Sequence, residues 1–254
     1  MTALIVVTGG TGTLGRPVVD RLLRSGSEVR VTSRRARPEG DLAYQWAQLD
    51  YRSDDRTQAA LAGADVVVHC TNSIRRALDD HVVRAAVRAG VEHFVYISIV
   101  GIDQIPFRYY RNKLTTERQL GASGMPYTIL RATQFHDLAY QFVAALTKPL
   151  FAPLPQGWRV QPVDVGEVAD RLATLAQQPT AGGRVTDFGG PEVRTLANLA
   201  ASYRGSLDRA PRRVLPLPFP GATSAALRRG ANLTPEHADG RITFEQYLGG
   251  RRQR

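Results

Sequence analysis

Near the middle of the chain a phenol and an amine stand four residues apart, in the run Tyr109-Tyr-Arg-Asn-Lys113. On a helix that spacing puts Tyr109 and Lys113 on one face. An ammonium beside a phenol favours the phenolate and lowers a pKa that is ordinarily near 10, which would give an acid or base usable at neutral pH. Tyrosine and lysine meet at this spacing by coincidence in many helices, so position has to supply the meaning. The run follows an apolar strand. Lys113 and Lys148 are also the only lysines in a chain whose other cationic side chains are arginines. A compact ammonium reaches a ribose hydroxyl where a guanidinium fork fits poorly.

A second constellation opens the chain: Ala3-Leu-Ile-Val-Val-Thr-Gly-Gly-Thr-Gly-Thr-Leu-Gly-Arg16. Leu4 to Val7 reads as a buried strand. It breaks into Gly9, Gly10, Gly12 and Gly15, and from Thr13 a helix follows with Leu14, Val18, Leu22 and Leu23 near one face. Strand, glycine turn and helix together let backbone N–H groups and a helix N-terminus face a pyrophosphate. Glycine is needed because a Cβ would block the turn or the approach of the phosphate. The spacing reads either as Gly10-x-Gly12-x-x-Gly15 or as Gly9-x-x-Gly12-x-x-Gly15. Gly9, Thr11, Gly12, Thr13, Leu14 and Gly15 are the expected cofactor contacts, and a plain strand-to-helix turn is the alternative.

Binders of the non-phosphorylated dinucleotide carry an acid about 20 residues past the turn, for the ribose 2′-hydroxyl. Here that place reads Thr32-Ser33-Arg34-Arg35. A hydroxyl and two guanidinium groups suit a 2′-phosphate, so Ser33, Arg34 and Arg35 predict NADP(H) in preference to NAD(H). Asp50, after the third strand, could accept a hydrogen bond from the adenine amino group, and reads equally as a helix cap or turn residue. Thr71 and Asn72 end the fourth strand over the expected path of the cofactor. Cys70 beside them reads as a small buried residue, since nothing near it in sequence would lower its pKa.

The elements that must hold these groups alternate through the first half. Strands are expected at Leu4–Val7, Glu28–Thr32, Tyr44–Leu49, Ala64–His69, Phe94–Ile99 and Tyr127–Leu130. Helices are expected from Thr13 and over Asp54–Leu61, Leu78–Ala89 and Phe107–Leu120. This predicts an α/β fold, a Rossmann-type doubly wound parallel sheet with a smaller C-terminal lobe. Beyond about Gln134 the rhythm changes. A helix runs through Phe142–Leu146, and Pro149, Pro153 and Pro155 are expected to interrupt regular structure. A helix at Val165–Gln177 starts from an Asp164 cap, Thr186–Phe188 is a short strand, Thr195–Tyr203 a helix, and Arg212–Pro220 is extended or irregular. The expected division is an NAD(P)-binding domain over 1–150 and a substrate-side lobe over 151–254 packed on it. Phe135, His136, Phe151 and Trp158 would form an apolar pocket in the lobe.

Composition limits the partners. The hydrophobic share of 43% and charged share of 22% are ordinary for a globular protein. No run approaches the ~18 apolar residues of a membrane span. The single cysteine, Cys70, excludes an intramolecular disulfide, and with no leader before the first strand a cytoplasmic location is expected. The net charge of +10 raises nucleic acid as a partner. However, the basic residues are scattered, the densest cluster being Arg251-Arg-Gln-Arg254, and no zinc-finger spacing or aromatic RNA-binding signature accompanies them. A small-molecule substrate is expected, with no specific nucleic acid and no metal.

On Thr8-Gly-Gly-Thr-Gly-Thr-Leu-Gly15, Ser98, Tyr109-x-x-x-Lys113 with Glu117, Pro126-Tyr-Thr-Ile-Leu-Arg131 with Ala-Thr-Gln-Phe135, and Val163-Asp-Val-Gly-Glu-Val-Ala169, the sequence resembles the short-chain dehydrogenase/reductase superfamily. Within it the likeness is to the atypical NmrA-like, NAD(P)H-binding branch, and it covers most of residues 1–190. The resemblance implies a Rossmann fold, an NADP(H) site and, in active members, hydride transfer. It also implies catalytic roles: Ser98 polarises a substrate carbonyl, Tyr109 moves the proton, and Lys113 holds the ribose and tunes the tyrosine. Ser98 and Tyr109 stand 11 positions apart, closer than in the main enzymes of the superfamily. Some members of the branch lack the tyrosine and bind cofactor as redox sensors or regulators. The sequence therefore carries two readings, a reductase of a small carbonyl or quinone-like compound and an NADP(H)-binding regulatory protein.

Overall fold

The computed structural model describes residues 3–49, 53–71, 76–148, 151–178, 182–210 and 213–252. In chain order its elements are β1 (Leu4–Thr8), α1 (Gly15–Arg24), β2 (Glu28–Ser33), β3 (Gln45–Gln48), α2 (Asp54–Leu61), β4 (Val66–His69), α3 (Arg76–Arg88), β5 (His93–Ile99), α4 (Arg108–Ala122), β6 (Tyr127–Ala132), α5 (His136–Leu146), β7 (Phe151–Pro155), β8 (Arg159–Val160), α6 (Val165–Ala176), β9 (Gly183–Arg184), β10 (Arg194–Thr195), α7 (Leu196–Gly205), β11 (Arg213–Leu217), α8 (Ala222–Arg229) and α9 (Phe244–Arg252). A seven-stranded parallel sheet has the order β3-β2-β1-β4-β5-β6-β9. β1 pairs with β2 on one side and β4 on the other, so the strand order reverses between β1 and β4. Ligands of doubly wound sheets bind outside the carboxyl ends at such a reversal.

The apolar runs explain why these segments are strands. β1 and β4 are buried along their whole length, as a parallel sheet covered on both faces requires. Among the described residues no helix is long and apolar enough to cross a membrane.

Two compact units partition the chain. The first comprises Met1–Ser98, Arg111–Leu130 and Val168–Val185; the second comprises Ile99–Tyr110, Arg131–Glu167 and Thr186–Arg254. In the first, Val6, Val67, Phe94 and Tyr96 of the sheet pack with Leu61, Val82, Val83, Ala86 and Leu120. α1 buries Val18, Val19 and Leu22, and its Arg21 pairs with Asp170 of α6.

In the second unit Ala139 and Val143 of α5, Ala152 and Leu154 of β7, Leu196 and Leu199 of α7, and Phe244 and Leu248 of α9 form a core of their own. This unit is not the segment 151–254 alone. Residues 99–110 and 131–148 join it because Gly101 lies against Ala231 and Gln134 bonds Asn232 and Val163.

Two expected details are corrected. Pro153 and Pro155 do not interrupt regular structure: they lie in β7, which pairs in parallel with β11. In a two-stranded sheet both strands are edges, so a residue without an N–H can face away from its partner. Pro149 lies outside the described residues. The short strand expected at Thr186–Phe188 falls instead at β9, and Phe188 makes only a single bridge to Ala132. Asp164 caps α6 as its sequence suggests, its Oδ1 accepting from the Gly166 N–H at 2.7 Å.

Candidate cofactor site

The site is built at the carboxyl ends of β1, β2 and β4, within the first unit. β1 ends at Thr8, and Gly9 turns the chain with φ +68°, a conformation that side chains with a Cβ resist. The turn is closed by the Gly12 N–H donating to Gly9 O at 2.8 Å. A Cβ on Gly15 would lie 2.2 Å from Gly9 O and 2.7 Å from Gly10 Cα, while one on Gly10 would lie 2.7 Å from Val31 Cγ1 of β2. Gly9 and Gly15 therefore shape the turn, Gly10 admits the neighbouring strand, and exposed Gly12 leaves its outer face clear. This favours the reading Gly9-x-x-Gly12-x-x-Gly15. Thr11 and Thr13 sit on the loop, and Leu14 buries its side chain at the N-cap of α1, leaving only backbone to offer. No acidic residue occupies the first turn of α1, so the positive end of the helix is not neutralised there.

Ser33 ends β2. Its hydroxyl bonds Thr11 Oγ1 at 3.1 Å and accepts from the Arg35 N–H at 3.2 Å, joining the glycine loop to the strand end. Arg34 and Arg35 follow with exposed side chains. From β4, Thr71 is half-buried and donates its hydroxyl to Thr8 Oγ1 at 3.3 Å, and a Cβ on Gly9 would come within 3.2 Å of its backbone. Asp50 and Asn72 lie outside the described residues. Burial pushes the Cys70 thiol up to about 12, with the Lys113 ammonium opposing. A thiol held so high is no nucleophile at neutral pH.

Ser98, on β5, is buried and its Oγ has no hydrogen-bond partner among the described residues. Lys113, on α4, is 4% exposed. Its Nζ donates to Ile97 O at 2.9 Å and to Tyr96 Oη at 3.1 Å, and lies 4.4 Å from the centre of the Tyr96 ring. The phenol that the ammonium meets is therefore Tyr96, which the sequence did not single out. Tyr109 occupies the first turn of α4, half-buried, in the part of the helix that belongs to the second unit. Of the four residues expected to share an apolar pocket, Trp158 packs against the core of the second unit that includes Phe244, the ring beside His136. His136 is a core histidine, its Nε2 donating to Ile242 O at 2.9 Å and its ring 5.1 Å from that of Tyr247. Trp158 donates to Ser224, Phe135 caps α5, and Phe151 is nearly half exposed.

Residues 9–178 match the family described as NAD(P)H-binding. The chain belongs to that family. It is 31% identical over 218 residues, 81% of this chain and 74% of the relative, to (4-alkanoyl-5-oxo-2,5-dihydrofuran-3-yl)methyl phosphate reductase of Streptomyces griseus subsp. griseus. It is 27% identical over 207 residues, 78% of this chain and 72% of the relative, to quinone oxidoreductase 2 of Escherichia coli strain K12. Its fold is similar to that of an NADPH-dependent quinone oxidoreductase of Escherichia coli complexed with NADPH, with a TM-score of 0.82 at 19% identity over 97% of this chain and 99% of that one. These relatives agree with the NmrA-like resemblance carried by the motifs.

For an NAD(P)H-binding chain the turn passes a steric test. Gly9, Gly10 and Gly15 have protein atoms where a Cβ would lie, exposed Gly12 keeps the outer face of the turn free of a side chain, and the first turn of α1 carries no carboxylate. His69, Asp79 and Tyr96 are buried polar residues around this site that sequence reasoning missed. A histidine closing an apolar strand was the available signal, because a buried imidazole needs a partner.

Proposed function

We propose that the protein is an NADP(H)-dependent reductase that passes hydride between the nicotinamide and a small carbonyl or quinone-like compound. The observation that carries this reading is the glycine turn joined through Thr11 to the Ser33 hydroxyl, with two exposed arginines directly after it. The reductase names of the relatives support the reaction class. The backbone of residues 9–15 would hold the diphosphate, and Ser33, Arg34 and Arg35 the 2′-phosphate. Thr71, with Asp50 and Asn72, would border the rest of the dinucleotide. When bound, the coenzyme supplies the hydride. Ser98, whose buried hydroxyl has no partner among the described residues, is suited to bond a substrate oxygen. Lys113 would fix the ribose side of the site, and Tyr109 would give or take the proton.

Replacing both Arg34 and Arg35 by alanine is expected to weaken NADPH binding about 10- to 100-fold, as for the loss of charge-assisted bonds to a phosphate, with NADH binding little changed. Fluorescence titration with the two coenzymes measures both. Equal losses for NADPH and NADH would contradict the assignment. Tyr109→Phe is expected to cut turnover of a quinone and aldehyde panel about 100-fold or more while leaving NADPH affinity intact. Unchanged turnover would remove Tyr109 from the chemistry.

One observation favours a second reading, a coenzyme-binding regulator without turnover. The Lys113 ammonium is already bonded to Tyr96 and Ile97 O. A wild-type protein that binds NADPH tightly and turns over nothing in the panel would support it.

A further inference from the structure

Beneath the glycine turn lies a chain of buried polar groups that neither hydride transfer nor phosphate binding uses directly. Thr8, the last residue of β1, bonds His69 Nδ1 through its hydroxyl at 2.7 Å. His69 Nε2 bonds Asp79 Oδ1 of α3 at 3.2 Å. Thr8 and His69 are fully buried and Asp79 is 3% exposed. A carboxylate only accepts, so Nε2 carries a proton towards Asp79, and in the neutral ring Nδ1 is the acceptor. The Thr8 hydroxyl then donates to Nδ1 while accepting from Thr71 Oγ1. The bonds run in one consistent direction from Thr71 through Thr8 to His69, and on from the imidazole to Asp79. Stacking against Tyr96, with ring centres 5.7 Å apart and planes at 21°, holds the imidazole in place.

Burying an imidazole and a carboxylate among valines is costly compared with apolar packing. The residue they hold is the one immediately before Gly9. Thr8 is also tied to β4 by the Cys70 N–H, which donates to Thr8 O at 3.1 Å. With both its backbone and its hydroxyl fixed, Thr8 sets where the turn leaves the sheet.

We propose that His69 and Asp79 are positioning residues for the dinucleotide: acting through the Thr8 hydroxyl, they fix the origin of the glycine turn, and Nδ1 of His69 is the atom on which coenzyme affinity depends. This rests on the reading that the turn holds the coenzyme, and it adds residues that do not touch it.

The test compares NADPH dissociation constants and melting temperatures for the wild type, Thr8→Val, Thr8→Ser, His69→Gln and His69→Asn. Asparagine keeps an acceptor where Nδ1 sits and gives up Asp79. Glutamine reaches Asp79 and leaves the Thr8 hydroxyl without its acceptor. Thr8→Val and His69→Gln are expected to weaken NADPH binding about tenfold. Thr8→Ser and His69→Asn are expected to stay within about twofold of wild type, even where His69→Asn melts lower. Lower melting temperatures with unchanged affinity in Thr8→Val and His69→Gln would overturn the proposal, as would equal losses of affinity in the two His69 variants. If Thr8→Val does not fold, the contrast between glutamine and asparagine at position 69 decides alone. A wild type that binds neither coenzyme would overturn the reading of the turn itself, which separates that failure from this one.

Discussion

Replacing Gly15 by alanine is expected to weaken coenzyme binding by at least about 100-fold and to destabilise the fold by about 1–3 kcal/mol. The reason is geometric. The added methyl would lie 2.2 Å from Gly9 O and 2.7 Å from Gly10 Cα, both backbone atoms of the turn. Neither can swing aside as a side-chain end could, so α1 and the turn must separate. The N–H groups that would meet the diphosphate then move with them. Gly12→Ala is the matched control, because its Cβ meets only Gly9 O, at 3.1 Å. That variant should fold nearly as well as wild type and lose affinity through obstruction of the outer face. Calorimetric titration beside thermal melting distinguishes the two. Wild-type affinity in Gly15→Ala would mean that the turn is not where the coenzyme binds.

Lys113→Met is expected to reduce turnover about 100-fold or more and to change how stability depends on pH. The ammonium satisfies Ile97 O and Tyr96 Oη from a position that is 4% exposed. Burial holds its pKa below the usual 10.5, and Asp79, Cys70 and Glu117 pull it partly back. Between that lowered value and 10.5 the unfolded chain binds more protons than the folded one, so stability rises with pH across the interval. Methionine has nothing to titrate and should flatten that rise. Urea midpoints followed from neutral pH to about 10 would show it. An identical pH slope in wild type and variant would mean that Lys113 is not a buried amine in the folded protein.

β1, β4 and β5 were legible in the sequence because they are near-continuous apolar runs, whereas β3, Gln-Trp-Ala-Gln, is not such a run and β9, Gly-Arg, was not expected. α2 falls on Asp54–Leu61 as expected, and β1, β2, β4 and β5 differ from expectation only at their ends. The second unit was less legible. Its β7–β11 pair is stabilised by register across a long stretch of sequence, and prolines that would break a central strand are tolerated where each strand is an edge. The site divides in the same way. The glycine turn and Ser33 are local features, set by backbone sterics, and could be read directly. The pairing of Lys113 with Tyr96, and of His69 with Thr8 and Asp79, joins different elements through side chains. An expectation built on i, i+4 spacing had no access to those partners. His136, expected in the pocket of the lobe, donates from Nε2 to Ile242 O and lies beside the rings of Phe244 and Tyr247, while its buried Nδ1 has no partner among the described residues.

Isothermal titration of the wild-type chain with NADPH and, in parallel, NADH tests the account most directly. It predicts a single site per chain that takes both coenzymes, NADPH more tightly by about tenfold or more, with the NADPH advantage lost when Arg34 and Arg35 are both replaced by alanine. No heat and no thermal stabilisation with either coenzyme, or tighter binding of NADH, would contradict it.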